Sequence, residues 1–385
     1  MSAGDRLPVD LSACRKILVV RLDFIGDWVL TLPFLAGLRQ SAPQAEITAV
    51  VLTRVHDLAR SCRSVDRVIA VEPRMTGPME FLGSDENDLA GFVADYAGGG
   101  YDVALVPRWD ADFNAALRIA DASRARQVIG FSEECTPLRA ELNRGEDGYY
   151  SAVLLDRRRM HEVEHKLGFL AAMGGDAGTT RAVLDLGDSD REAARDFMKR
   201  NLGIGQPFVA IAPFAVGRKL LPPELTAGLA GRLATATGLP LVVIGSPVHE
   251  ELAGNFMDLL DVPAVSAVGL SLGGSAALIG DGTALVGMDS GPGHIAAALG
   301  TPVSVVFSHP TSGSPDHVGS PERFRPWGDP SRIQVIQPRT PLPPCIDGCD
   351  ADEPHCITQL GIDHLYPPIA DFVMRFVPQT AESTA

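Results

Sequence analysis

Along the chain, short apolar runs alternate with longer stretches whose apolar residues recur every three or four positions. The runs "KILVV" (16–20), "ITAVVL" (47–52), "RVIAVE" (67–72), "VALVP" (103–107) and "QVIGF" (127–131) read as strands. None alternates strictly, as expected when helices cover both faces of a parallel sheet. Between them, "DWVLTLPFLAGLRQ" (27–40) and "DFNAALRIADAS" (112–123) have helical spacing, which makes a βαβ repeat. The second half repeats the scheme with "PFVAIAPF" (207–214), "LPLVVIG" (239–245), "ALVGM" (284–288), "PVSVVFS" (302–308) and "IQVIQ" (333–337). Its helix "PELTAGLAGRLATATG" (223–238) ends on a glycine, the residue that most often closes a helix.

The pattern predicts an α/β protein of two Rossmann-like, doubly wound parallel-sheet domains facing a cleft. A linker running into a helix, "LDLGDSDREAARDFMKRNLGIGQ" (184–206), sets the boundary: domains at 1–185 and 186–361, then a last helix and tail at 362–385. Ligands in such sheets bind at the carboxyl ends of the strands, so the residues just after each strand are the ones to read.

Composition agrees and narrows the partners. With 385 residues, 45% apolar and 21% charged, the chain is a globular protein large enough for two cores. A net charge of −15 argues against nucleic acid. No apolar run approaches the roughly 20 residues that cross a bilayer, and "MSAGDRLPVD" lacks a secretory pattern, so a cytoplasmic protein without membrane insertion is expected.

The chemistry concentrates in two places. In "ALVGMDSGPGHIAAALGTP" (284–302), a strand runs into Asp289, Ser290, Gly291, Pro292 and Gly293, and a small-residue helix starts near His294. Glycines permit close backbone approach, and the open N–H groups and dipole of a helix start suit a diphosphate. A tight turn with Ser290 as cap is the plainer reading. Arg218 and Lys219 follow an earlier strand of the same half, where a lysine can neutralise a departing phosphate. Glu250 or Glu251, in "GSPVHEE", suits ribose hydroxyls. In the first half, "RLDFIGDWVLTLP" (21–33) places Asp27 at the mouth of a strand-to-helix turn, four residues after Asp23.

These two motifs together resemble glycosyltransferase family 9, the ADP-heptose:lipopolysaccharide heptosyltransferases, in order and spacing along essentially the whole chain. "HEVEHKLGFLAAMGG" (161–175) and the Lys219 loop are further landmarks of the likeness. The resemblance implies a GT-B fold, an acceptor held mainly by the first domain and a nucleotide sugar by the second. It implies inverting transfer without a metal or other cofactor, with a nucleotide-diphosphate sugar, ADP-heptose, as co-substrate. Asp27 matches the base position; an acid stabilised by a helix start is the alternative. Leu270 matches a position lining the nucleobase, or a core residue. The last helix, "HLYPPIADFVMRFV" (364–377), is placed to cross back to the first domain.

On the acceptor side, Gly26 lies in the first motif, and Arg108, Trp109 and Asp110 follow a first-domain strand. Trp109 is placed to stack on a sugar ring or to fill a half-buried position. His161, with Glu164 on one helical face, reads as an acceptor or interdomain contact, or as packing. Two departures from the family stand out: Leu221 where tryptophan is common, and the acid Asp23. A pair of bare acids would repel an anionic acceptor, so the expectation is a small molecule or natural product with a free hydroxyl rather than lipopolysaccharide. Rival readings are a nucleotide-sugar epimerase of similar architecture and a non-catalytic nucleotide-sugar binder. Finally, "CIDGCDADEPHC" (345–356) has C-x₃-C-x₆-C spacing, unlike standard zinc spacing, with His355 adjacent to Cys356. It reads foremost as a structural loop of reduced cysteines, with a metal site or a disulfide as alternatives.

Overall fold

A computed structural model describes residues 6–72, 99–178 and 180–379. The chain divides into two compact units, Met1–Asp185 and Leu186–Ala385. Among the described residues, the first holds six strands: β1 (Lys16–Arg21), β2 (Glu46–Leu52), β3 (Arg67–Val71), β4 (Val103–Val106), β5 (Gln127–Phe131) and β6 (Ala152–Leu154). The second holds β7 (Val209–Ala212), β8 (Leu241–Val243), β9 (Ala264–Ser266), β10 (Ala284–Met288), β11 (Val303–Val306) and β12 (Ile333–Ile336). Their orders are β3-β2-β1-β4-β5-β6 and β12-β11-β10-β7-β8-β9, with all pairings parallel.

Numbered within its own unit, each sheet therefore runs 3-2-1-4-5-6, the order of a dinucleotide-binding fold. The order reverses between the first and fourth strands, which is β1/β4 in one unit and β7/β10 in the other. In such folds, ligands bind in crevices at those switch points. Every residue of β4, β7, β10 and β11 is buried, which is why these strands read as continuous apolar runs. Two strands escaped the pattern: β6 and β9 are three residues long and largely half-buried, too short to stand out.

The opening motif folds differently from a single helix. A five-residue helix, Ile25–Val29, stops, and a second, Leu32–Ser41, begins at Thr31 with Pro33 in its first turn. Proline has no N–H and its ring clashes with the carbonyl four residues back, here Val29, so the first helix cannot continue. Helix Pro223–Thr237 ends as its glycine predicts: Gly238 has φ +66°.

The last helix, Ile362–Met374, packs on helix Pro223–Thr237. Its Leu365, Ile369, Phe372 and Val373 join Val209, Leu229, Leu233 and Met288 in the second unit's core. Residues 380–385 of the tail lie outside the described residues. Among the described residues, no helix is long and apolar enough to cross a membrane.

Candidate active site

At the first switch point, the segments leaving β1 and β4 meet over Arg21, the last residue of β1 and only 3% exposed. Its Nε lies 3.0 Å from Asp23 Oδ2, and one terminal nitrogen lies 3.2 Å from Asp27 Oδ1. The other donates to the Pro107 carbonyl at 3.3 Å. The Nε–H does not aim along a hydrogen bond, so the first contact is an ion pair only. Arg108 closes on the opposite oxygen of Asp23 and donates to the Ala111 carbonyl. Burial and repulsion from Arg21 depress the Arg108 pKa to about 10.

Asp23 is therefore clamped between two arginines and buried. The bare acid pair expected from sequence does not exist, and the charge argument against an anionic acceptor loses its premise.

Asp27 sits in the first turn of helix Ile25–Val29 with its side chain 21% exposed. Its backbone carbonyl accepts from Thr31 Oγ1 at 2.7 Å. Among the described residues, its Oδ2 makes no hydrogen bond or ion pair. The carboxylate is thus held by one oxygen and open at the other. Gly26 accepts the Leu30 N–H and lines the same short helix.

Lys166 and Glu162 supply a second pair beneath. Both are buried on helix Glu162–Ala172, with Nζ to Oε2 at 3.1 Å. Burial lowers the Lys166 pKa to about 8, opposed by Glu162, while Arg21 and Asp27 also act on it electrostatically. The first switch point thus carries Arg21, Arg108 and Lys166 against Asp23, Asp27 and Glu162, a balanced, largely desolvated network.

The remaining first-unit candidates are mostly structural. Trp109 is buried, donates its Nε1–H to the Asp156 carbonyl at 2.6 Å, and stacks on His165 with ring centroids 3.9 Å apart. A face occupied by His165 cannot also hold a sugar, so Trp109 builds the floor. Asp110 Oδ1 accepts from the Ala111 N–H and from Thr136 Oγ1, fixing its own loop. His161 and Glu164 form a capping box: His161 Nδ1 accepts the Val163 N–H at 3.2 Å, and Glu164 accepts the His161 N–H at 2.9 Å.

At the second switch point, the turn after β7 and the turn after β10 are joined by Lys219 Nζ to Asp289 Oδ2, 2.7 Å apart. Asp289 is buried, whereas the Lys219 side chain is 34% exposed. Helix Gly291–Leu299 starts immediately after, with Pro292 in its first turn. Ser290 does not cap it, because its hydroxyl turns back to the Met288 carbonyl at 3.2 Å. Gly293 is buried against β11, where a Cβ would come 3.1 Å from Val305. His294 is buried in the same turn.

Arg218 shares the Gly217–Lys219 turn. Leu221 is buried in the second unit's core. Glu250 and Glu251 both lie exposed in the first turn of helix Glu250–Asp258, and geometry does not choose between them. Leu270 is half-buried and lines a shallow cleft of about 340 Å³ with Phe197, Arg200, Ser266 and Val268. None of the Lys219 or Asp289 turn residues lines that cleft.

Sequence reasoning missed Arg21, Glu162, Lys166 and Arg139. Arg139 is fully buried and donates to the carbonyls of Arg108, Asp110 and Phe131, holding the loop after β4. One signal was available: Glu162 and Lys166 stand four apart on helix Glu162–Ala172, the spacing of a paired charge, and an unpaired buried charge would be costly.

Two Rossmann-like units of this order match the GT-B architecture, and comparison with known proteins places the chain among glycosyltransferases. The sequence model of glycosyltransferase family 9 (heptosyltransferase) matches residues 125–344, more than half of the chain, which belongs to that family. Lipopolysaccharide heptosyltransferase 3 of Escherichia coli is 24% identical over 325 residues, covering 80% of this chain and 84% of that protein. The crystal structure of a family 9 glycosyltransferase from Veillonella parvula superposes with a TM-score of 0.74 at 19% identity, covering 96% and 99% of the two chains. The E. coli heptosyltransferase WaaC with ADP does so at 0.66 and 18%, covering 93% and 99%. The protein is a heptosyltransferase-like glycosyltransferase.

Proposed function

We propose that this enzyme transfers heptose from ADP-heptose to an acceptor hydroxyl with inversion. The second unit holds the nucleotide sugar, and Asp27 serves as general base. The acceptor oxygen attacks the anomeric carbon as its O–H proton passes to Asp27. The bond from that carbon to the diphosphate oxygen breaks, and the nucleoside diphosphate leaves with the electron pair. The acceptor class stays open between a lipopolysaccharide core and a small molecule, now that Arg21 and Arg108 neutralise Asp23.

The observation that carries the reading is the Lys219–Asp289 pair beside an uncapped helix start. A partly exposed ammonium held by one carboxylate can exchange it for a diphosphate, and open N–H groups at a helix terminus favour the same anion. The structure of WaaC with ADP-2-deoxy-2-fluoro heptose, at TM-score 0.65, supports ADP-heptose as the donor to try first.

Calorimetric titration with ADP, ADP-heptose and UDP- and GDP-sugars, on wild type and Lys219→Ala, tests this. ADP-heptose at 100 Kd should stabilise the wild type by roughly 2.7 kcal/mol. Loss of a charge-assisted contact should weaken ADP binding by about 10- to 100-fold. Preference for a UDP- or GDP-sugar would remove heptose from the proposal. Donor turnover to an epimer without any acceptor would replace transfer with epimerisation.

A further inference from the structure

The loop 345–356 carries the cysteines whose spacing argued against joint metal binding. In the folded chain, Sγ of Cys345, Cys349 and Cys356 and a ring nitrogen of His355 all lie within 4.8 Å of one another. His355 Nδ1 stands 3.5 Å from both Cys345 Sγ and Cys356 Sγ. A tetrahedral ion with bonds of about 2.3 Å to sulfur and about 2.0–2.1 Å to nitrogen has a sulfur–nitrogen edge of about 3.5 Å. The ring therefore already stands at ligand distance from two sulfurs.

Two backbone donors point at the same sulfurs. The Leu342 N–H reaches Cys356 Sγ and the Asp350 N–H reaches Cys345 Sγ, each at 3.4 Å. Such donors stabilise thiolate sulfur, the form that binds metal. Adjacency of His355 and Cys356 is no obstacle, because the backbone at His355 turns sharply (φ −136°, ψ −88°) and its near nitrogen, Nδ1, faces the sulfurs.

We propose that Cys345, Cys349, His355 and Cys356 bind one thiolate-seeking divalent metal ion, zinc foremost, in a closed structural site. Three thiol groups give up their protons as the four bonds to the ion form. Four protein ligands leave no open coordination position, so the ion holds the loop and takes no part in sugar transfer.

The loop it holds is wedged beside the Lys219 turn. The Asp352 carbonyl approaches Gly217 so closely that a Cβ there would overlap it, and Gly217 has φ +52°. Asp350 accepts from His317 Nε2 at 2.8 Å, and the Asp347 carbonyl accepts the Ser314 N–H at 2.5 Å. Fixing the loop thereby fixes the turn that carries Lys219. That consequence rests on the donor reading above; the metal site itself does not.

Elemental analysis of the full chain, purified without added metal, should find about one zinc per chain, lost in Cys345→Ser and in Cys349→Ser. Chelation should lower the melting temperature and zinc should restore it. Cobalt exchanged into the site should show thiolate-to-cobalt charge-transfer bands. If the serine variants do not fold, a thiol-blocking mercurial on the wild type should release the ion as the thiols react. Absence of stoichiometric metal, with a melting temperature indifferent to zinc and chelator, overturns the site. So does metal retained in both serine variants. Metal bound, but ADP affinity unchanged by its removal, overturns only the link to Lys219. Metal bound in a protein that binds no nucleotide sugar leaves the site standing and sinks the donor reading.

Discussion

The two switch points share a strand order and differ in how they hold charge. In the first unit, Arg21, Asp23, Glu162 and Lys166 are buried, Arg108 is half-buried against Asp23, and Asp27 is pinned by one oxygen. In the second, one half-buried lysine meets one buried aspartate beside an uncapped helix start. The same topology thus carries a largely buried charge cluster in one unit and a single partly exposed ion pair in the other. A group that must stand ready at a reacting hydroxyl gains from rigidity, because positioning lowers the barrier. A cation that must receive and release an anionic donor gains from an easily displaced partner.

The sharpest test of the first half is Asp27→Asn. It keeps the shape and the contact with Arg21 but removes the proposed base, so kcat should fall by about 10²- to 10⁴-fold, with donor affinity near wild type. Steady-state transfer kinetics read both quantities. A loss under tenfold would assign the base elsewhere.

Next in size is the contrast between the two lysines. Lys166→Met strands a buried Glu162 and should cost about 3–5 kcal/mol in denaturant unfolding. Lys219→Ala breaks a partly exposed pair and should cost about 1 kcal/mol or less, while harming donor binding. Equal stability losses would erase the distinction drawn here.

The smallest effect is on pH. Burial and the neighbouring Asp112 raise the Glu146 pKa from 4.5 to about 7. Between those values the folded form holds the proton longer than the unfolded chain, so this group's contribution to stability falls as pH rises from about 4.5 to 7. In the second unit, His309 is pushed down from 6.5 to about 4 by burial and by His317. There the unfolded chain holds the proton longer, and stability rises with pH from about 4 to 6.5. Glu146→Gln should steepen the measured rise of stability with pH, and His309→Gln should flatten it. Thermal melts from pH 4 to 8 read both; identical profiles for the two variants would contradict these environments.

The sequence by itself determined the architecture. Strands buried on both faces must be apolar throughout, and helices must carry apolar residues on one side, so both βαβ repeats are written in the pattern. Three-residue β6 and β9 carry too few buried positions for such a signal. Apolar spacing reads 27–40 as one helix; the break after Val29 follows from Pro33, which denies the Val29 carbonyl its hydrogen bond. Asp27, Lys219 and Asp289 could be nominated because each follows a strand end where a ligand binds.

Only the tertiary structure decided which charges are spent on one another. Asp23 looked like a second free acid until Arg21 and Arg108 closed on it across 85 positions of chain separating Asp23 from Arg108 (108 − 23). Trp109 looked available until His165 covered its face. The cysteine loop stood open between a metal-free loop, a metal site and a disulfide until the turn at His355 placed its ring 3.5 Å from two sulfurs. Hydrophobic periodicity is a local property that any segment displays alone. The pairing of a buried charge or thiol depends on distances between residues remote in sequence, which exist only once the sheets have formed.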